Sequence, residues 1–255
     1  MYRPRIIPVL LLQNGALVKT ISFGKRKYIG DPINALHILN SMQANEIVLL
    51  DIDATNKNKV IDLELVRKIG EEAFMPFSVG GGIRTCAQIA ERIALGTEKV
   101  ILNSIVFDDL NFVKEAAKQF GSSSLVCSMD IKKNWFGKYQ IVTKGGRKHI
   151  KGDIVDWAKR IEQAGIGEII VQSVDRDGRM MGYDLKLLEM IAHNVKVPVI
   201  ALGGAADINS MKELLNSGIP INGLAAGSMF VYHGSRNGVL VNYPSNNEIL
   251  ELYKK

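Results

Sequence analysis

Short, continuous apolar runs alternate with longer amphipathic stretches along the chain. A strand buried on both faces reads as an unbroken apolar run, whereas a helix laid against it carries one apolar stripe. The pattern predicts strands over residues 6–12, 46–51, 77–79, 99–103, 124–130, 168–173, 197–202 and 223–226. Helices are predicted over 32–42, 60–72, 85–95, 110–120, 153–164, 184–193, 208–217 and 246–253. Asp31-Pro32 supplies a helix cap and first-turn pair. A long loop, 13–30, follows the first strand and is expected to act as a mobile lid. A hairpin-like insertion after the fifth strand runs through Trp135-Phe136-Gly137 to 139–143; its two aromatics read as a mini-core or a partner contact, and packing is expected. Strict strand–helix alternation argues for a parallel sheet with crossover helices. Eight such units with no linker predict an α/β fold, one (β/α)8 TIM barrel over residues 1–255.

One stretch recurs inside this pattern. Phe77-Ser78-Val79-Gly80-Gly81-Gly82-Ile83-Arg84 is a strand that stops in glycines ahead of a helix, and Pro198-Val199-Ile200-Ala201-Leu202-Gly203-Gly204-Ala205 repeats it. Each copy is followed, one helix and one strand later, by a hydroxyl beside small or amide residues: Leu102-Asn103-Ser104 and Ala226-Gly227-Ser228. Glycines at such turns let backbone N–H groups approach an oxyanion with no Cβ in the way. Two copies therefore predict two facing phosphate-type sites. Leu50-Asp51-Ile52-Asp53 and Val174-Asp175-Arg176-Asp177 echo one another in the same way, so the chain reads as a half-barrel doubled. In such barrels the C-terminal strand ends carry the chemistry. Asp53 and Asp177 are candidates for ligand contact, while Asp51 and Asp175 are expected to pair with lysines or backbone inside the mouth.

Composition excludes some function classes. Apolar residues at 47% and charged residues at 23% are those of an ordinary globular chain. No apolar run is long enough for a membrane span. The chain enters its first strand without a signal peptide, so a cytoplasmic protein is expected. Cys86 and Cys127 lack metal or redox spacing and are expected to be buried thiols. The net charge of +6 raises the question of nucleic acid, but no nucleic-acid motif is present. The densest basic groups, Lys25-Arg26-Lys27 and Arg147-Lys148 with Lys151, fall in loops at corresponding places in the two halves. That placement suits an anionic small molecule better. His37 and His193 fall on outer helices, His149 and His233 in loops on the active face, and none has a partner at ligand spacing. No metal and no cofactor are expected. Tyr243-Pro244 is expected to fix the turn into the last helix.

With these residues in place, the chain resembles the cyclase subunit of imidazole glycerol phosphate synthase, HisF, from Arg5-Ile6-Ile7 to Ser228. The most specific pieces are residues 77–83, Asp130-Ile131-Lys132, Asp175-Arg176-Asp177-Gly178 and Gly203-Gly204-Ala205. The resemblance implies a synthase that uses channelled ammonia on a phosphorylated ribulosyl substrate, giving imidazole glycerol phosphate and AICAR. It implies that Gly82, Asn103 and Ser104 hold one phosphate, and that Asp177, Gly178, Gly203, Gly204, Gly227 and Ser228 form the other end. Lys19 matches a residue of the family's mobile first loop. Asp130 matches one of two catalytic aspartates. Arg5, Glu46, Lys99 and Glu168 match a charged gate through which ammonia enters, and Glu98 matches the docking position for a glutaminase partner. A salt-bridged plug with no transport role is the alternative for that ring.

The chain departs from the family at the first strand, where the second catalytic aspartate aligns with Leu11. Gly145, Gln172 and Leu202 stand where the family prefers small hydroxyl residues, and Lys27 replaces an arginine, losing a two-pronged contact. The tail, residues 230–236 and 239–244, is similar to HisF paralogues found with surface-polysaccharide genes. That likeness implies a barrel that supplies ammonia to a separate enzyme making an acetamidino sugar. A phosphosugar isomerase or epimerase barrel is a third reading, and the missing strand-one aspartate counts against it too.

Overall fold

The computed structural model describes residues 3–234 and 236–254; Met1, Tyr2, Ser235 and Lys255 lie outside the described residues. Eight parallel strands close into a barrel: Arg5–Gln13, Ile47–Asp51, Phe77–Gly80, Lys99–Leu102, Leu125–Lys133, Glu168–Ser173, Val199–Leu202 and Gly223–Ala226. Each pairs with the next, the eighth returns to the first, and the fifth pairs with the sixth to complete the closure. The predicted helices lie between them with ends shifted by a few residues. The second helix begins at Leu63 because the Asp62 side chain caps it by accepting from the Leu65 N–H, while Ile61 is extended and donates to the Gly81 carbonyl. A short helix, Ser104–Asp108, and a third insertion strand, Lys148–Ile150, are additions to the predicted set.

Side chains alternate across a strand, so every second residue of the first strand faces the barrel axis. Ile7, Val9 and Leu11 join Val48, Leu50, Ile101, Val126, Ile170, Ile200, Leu202 and Ala225 in an inner cluster separate from the larger core between barrel and helices. The interior is packed rather than hollow. Cys127 is in the outer core, and burial holds its thiol well above the usual range; Cys86 is only half-buried.

The first loop differs from expectation. Residues 13–30 are an ordered antiparallel hairpin, Ala16–Thr20 with Arg26–Gly30, growing directly out of the first barrel strand. Gln13 pairs with Ala16 across Asn14-Gly15, both at positive φ (50° and 79°). An Asn-Gly pair adopts that mirror-image turn readily and matches strand twist, so this segment forms sheet rather than an irregular loop. Lys19 is accordingly a strand residue, 6% exposed. The tail also differs. The last helix is set by a capping box, Ser245 with Glu248, not by Tyr243-Pro244. Tyr243 is buried, stacks on Phe230 at 5.6 Å, and its hydroxyl lies 3.1 Å from both the Ile6 carbonyl oxygen and Asn45 Oδ1. It ties the tail beneath the first two barrel strands.

That tie is testable. Tyr243→Phe keeps the ring and removes the hydroxyl from a buried carbonyl, which should cost about 1–3 kcal/mol. Thermal unfolding should show Tm lower by several degrees; an unchanged Tm would mean the stacked ring alone anchors the tail.

Candidate active site at the barrel mouth

Eleven of the predicted mouth residues line one cavity at the C-terminal strand ends: Lys19, Gly82, Asn103, Ser104, Asp130, Asp177, Gly178, Gly203, Gly204, Gly227 and Ser228. The two glycine loops are built alike. Gly82 has φ +69° and Gly204 φ +104°, and a Cβ on either would lie 2.0 Å from the Lys59 carbonyl oxygen or 2.1 Å from that of Gly182. Glycine is required twice over at each, by conformation and by space.

Asp130 sits on the fifth strand among polar neighbours. Asn103 Nδ2 donates to its Oδ2 at 2.9 Å and Ser128 Oγ donates to its Oδ1 at 3.2 Å. Ser128 is two residues back on the same face, a partner that strand periodicity could have supplied. Burial pushes the Asp130 carboxyl up to about 7, against the pull of those two donors, and the negative Asp177 adds to the rise. Asn103 Nδ2 also donates to the Ser128 carbonyl at 2.9 Å, so its amide protons are committed to orienting Asp130. An anion in this cradle would meet Ser104 Oγ and main-chain N–H groups.

At the other cradle the Lys19 ammonium donates to the Val9 carbonyl at 2.9 Å, and a Cβ at Gly227 would lie 2.1 Å from its Nζ. Gly227 thus makes room for the amine beside Ser228. Burial lowers the Lys19 pKa to about 8, with Asp177 acting the other way. Asp177 is held by Thr20 Oγ1 at 2.7 Å; burial raises its pKa, and Thr20 and Lys19 oppose the rise. The first hairpin is therefore seated over the second cradle.

The supposed equivalents diverge. Asp53 lies outside the cavity, paired with Arg26 at 2.6 Å and Lys57 at 3.1 Å, which corrects its expected ligand role. Asp51 accepts from the backbone N–H groups of Asp53 and Ala54, and Asp175 from that of Lys133, as expected. Lys27 does not line the cavity; its ammonium sits 4.9 Å over the Tyr232 ring, and the neighbouring Arg26 faces inward instead. Leu11, Gly145, Gln172 and Leu202 do line it, together with Arg84, Lys144 and Arg147. Among the described residues these last three cations form no ion pair. His149 and His233 are on short strands rather than in loops. No group of three His, Cys, Asp or Glu residues poised for a metal occurs among the described residues, and no helix there is long and apolar enough to cross a membrane.

The four charged residues lie at the opposite end. Arg5 bridges Glu46 (2.6 Å) and Glu168, and Lys99 pairs with Glu168 at 3.1 Å. Six residues of strand separate Arg5 from Leu11, roughly 20 Å. Burial pushes Glu46 above the usual carboxyl range, with Arg5 and Lys99 drawing it back. Glu98 is exposed beside this ring.

A family model described as "Histidine biosynthesis protein" matches residues 5–236. The chain belongs to this family. Over 249 residues it is 43% identical to "Putative imidazole glycerol phosphate synthase subunit hisF2" of Pseudomonas aeruginosa, covering 98% of this chain and 99% of that protein. A Leptospira borgpetersenii protein, "Putative imidazole glycerol phosphate synthase subunit HisF", is 40% identical over 97% of this chain and 98% of its own. "Imidazole glycerol phosphate synthase subunit HisF" of Alkaliphilus metalliredigens is 40% identical over 91% and 92% of the two chains. This is a divergent HisF-like barrel.

Two outcomes follow for the HisF-like mouth. Asp130 is protonated more readily folded than unfolded, so its contribution to stability is greatest below pH 3.8 and is lost as pH rises to about 7. Urea unfolding of Asp130→Asn against the parent should show the variant's relative stability increasing across that window; parallel pH curves would mean the carboxyl is not buried. Ser104→Asp and Ser228→Asp put a carboxylate in each cradle. Calorimetric binding of inorganic phosphate should weaken more than about tenfold, as charge repulsion in a partly desolvated site requires; unchanged binding would remove the cradle assignment.

Proposed function

We propose that this chain is the barrel subunit of a glutamine amidotransferase. In this reading a glutaminase docks beside Glu98, ammonia enters through the Arg5–Glu46–Lys99–Glu168 ring, and the mouth holds a phosphorylated ligand. The ammonia is then used by a separate enzyme that makes an acetamidino sugar of a surface polysaccharide. Cyclisation of a ribulosyl substrate inside the barrel is not its role.

Leu11 carries the proposal. It lines the cavity on the first strand with Asp130 on the fifth, so the strand-one position offers Asp130 no titrating partner, and the other carboxyls of the mouth, Asp51 and Asp177, are engaged by backbone N–H groups and by Thr20. General acid–base help is worth about 10² to 10⁴ in rate, and leucine can neither accept nor donate a proton. The apolar cluster between the two ends is compatible with ammonia handling. A neutral molecule crossing Ile7, Val9, Val48, Ile101, Val126, Ile170 and Ile200 would meet a far lower desolvation cost than an ammonium ion.

A second reading, a working cyclase, draws on Asp130, whose pKa near 7 suits proton transfer at neutral pH. Turnover of the ribulosyl precursor by the purified chain with excess ammonium salt separates the two. We expect turnover at least about 10²-fold below that of a cyclase with both carboxyls, partly restored by Leu11→Asp. A native rate equal to that of such a cyclase would establish the second reading.

A further inference from the structure

Trp135 and Phe136 form a bare aromatic tip on the hairpin that extends the fifth strand beyond Asp130. They are 97% and 87% exposed, against the expectation that they pack. The backbone turn that carries them is nonetheless closed by hydrogen bonds. Asn134 Oδ1 accepts from the N–H groups of Phe136 (2.9 Å) and Lys138 (3.0 Å), and its own N–H donates to the Lys138 carbonyl at 2.8 Å. Lys132, Lys133 and Lys138 flank it, all exposed. The Lys133 N–H donates to Asp175 at 2.7 Å, which fixes the hairpin to the loop after the sixth strand, where Met181 is 68% exposed.

We propose that this tip anchors an acidic partner protein over the barrel mouth. Aromatics on a fixed turn have few rotatable bonds to lose on binding and are the usual energetic centres of protein interfaces. The surrounding lysines select a partner whose rim is acidic around an apolar pocket. A second copy of this chain is disfavoured, because like-charged faces of a chain of net charge +6 would meet. A bilayer at this position would seal the cavity. Resting on the function proposed above, the partner is the amidating enzyme that receives the ammonia.

The chain's tryptophans give a direct readout. Trp157 is 9% exposed and packs edge-on against Phe107 at 5.3 Å, so acrylamide quenching reports mainly on Trp135. Full-length barrel with its glutaminase is titrated with the amidating enzyme and followed by quenching and sedimentation. Quenching should fall severalfold as the complex forms, and Trp135→Ala/Phe136→Ala should weaken binding by about thirtyfold or more. Lys132→Glu/Lys138→Glu should weaken it further as salt is lowered, while thermal unfolding of both variants stays at the parent value. A complex that transfers ammonia while Trp135 remains fully quenchable overturns the tip and leaves the proposed function standing. Absence of any complex overturns the acceptor partner and this docking together. Shielding of Trp135 by phosphatidylglycerol vesicles, or a concentration-dependent dimer lost in the double aromatic variant, overturns the proposal in favour of a bilayer or a second copy.

Discussion

A closed eight-stranded barrel has a dry interior, and an ionisable side chain that points into it must sit at one of two ends. At the lower end this chain meets the requirement by pairing: Arg5, Glu46, Lys99 and Glu168 contribute two charges of each sign in direct contact. Leaving any of them alone would cost several kcal/mol. At the upper end Asp130 has hydrogen-bond donors but, among the described residues, no ion-pair partner, and its burial makes the carboxyl hard to ionise. Both ends follow from one alternation along short strands, which puts Arg5, Ile7, Val9 and Leu11 in a single file.

The fold was legible because buried parallel strands are unbroken apolar runs and their crossover helices carry strong caps. What was misread lay where a local signal was set aside. Asn14-Gly15 is a strong short hairpin signal, yet the polar, basic segment after it reads as loop unless that turn is weighed first. Tyr243 could not be placed, because its partners Ile6 and Asn45 are some two hundred positions away and nothing local announces them. The exposure of Trp135 and Phe136 was equally hidden, since two aromatics in a turn look the same in sequence whether packed or bare.

The candidate site was legible to the extent that it is made of backbone. Gly82, Gly204, Ser104 and Ser228 are fixed by turn geometry, which leaves its mark as glycine and small hydroxyl residues. Side-chain direction was less accessible. Asp53 and Asp177 hold equivalent positions in the repeat, but Arg26 and Lys57 claim the first, while Thr20 holds the second at the cavity wall. The hairpin that brings Arg26 and Thr20 into place has a counterpart after the fifth strand, but the two carry different side chains, so a doubled sequence has become an asymmetric mouth.

Leu11 has a consequence for the history of this barrel. An aspartate there would be a second carboxyl in a poorly solvated mouth shared with Asp130, and each would oppose the other's ionisation. Leucine removes that repulsion and adds apolar packing against the inner cluster. Active sites are commonly held at some expense of stability, and relinquishing one returns it. On the function proposed here no second carboxyl is needed, and selection for a sturdier barrel would hold leucine in place. A change to aspartate would run uphill in stability, so the position works as a ratchet.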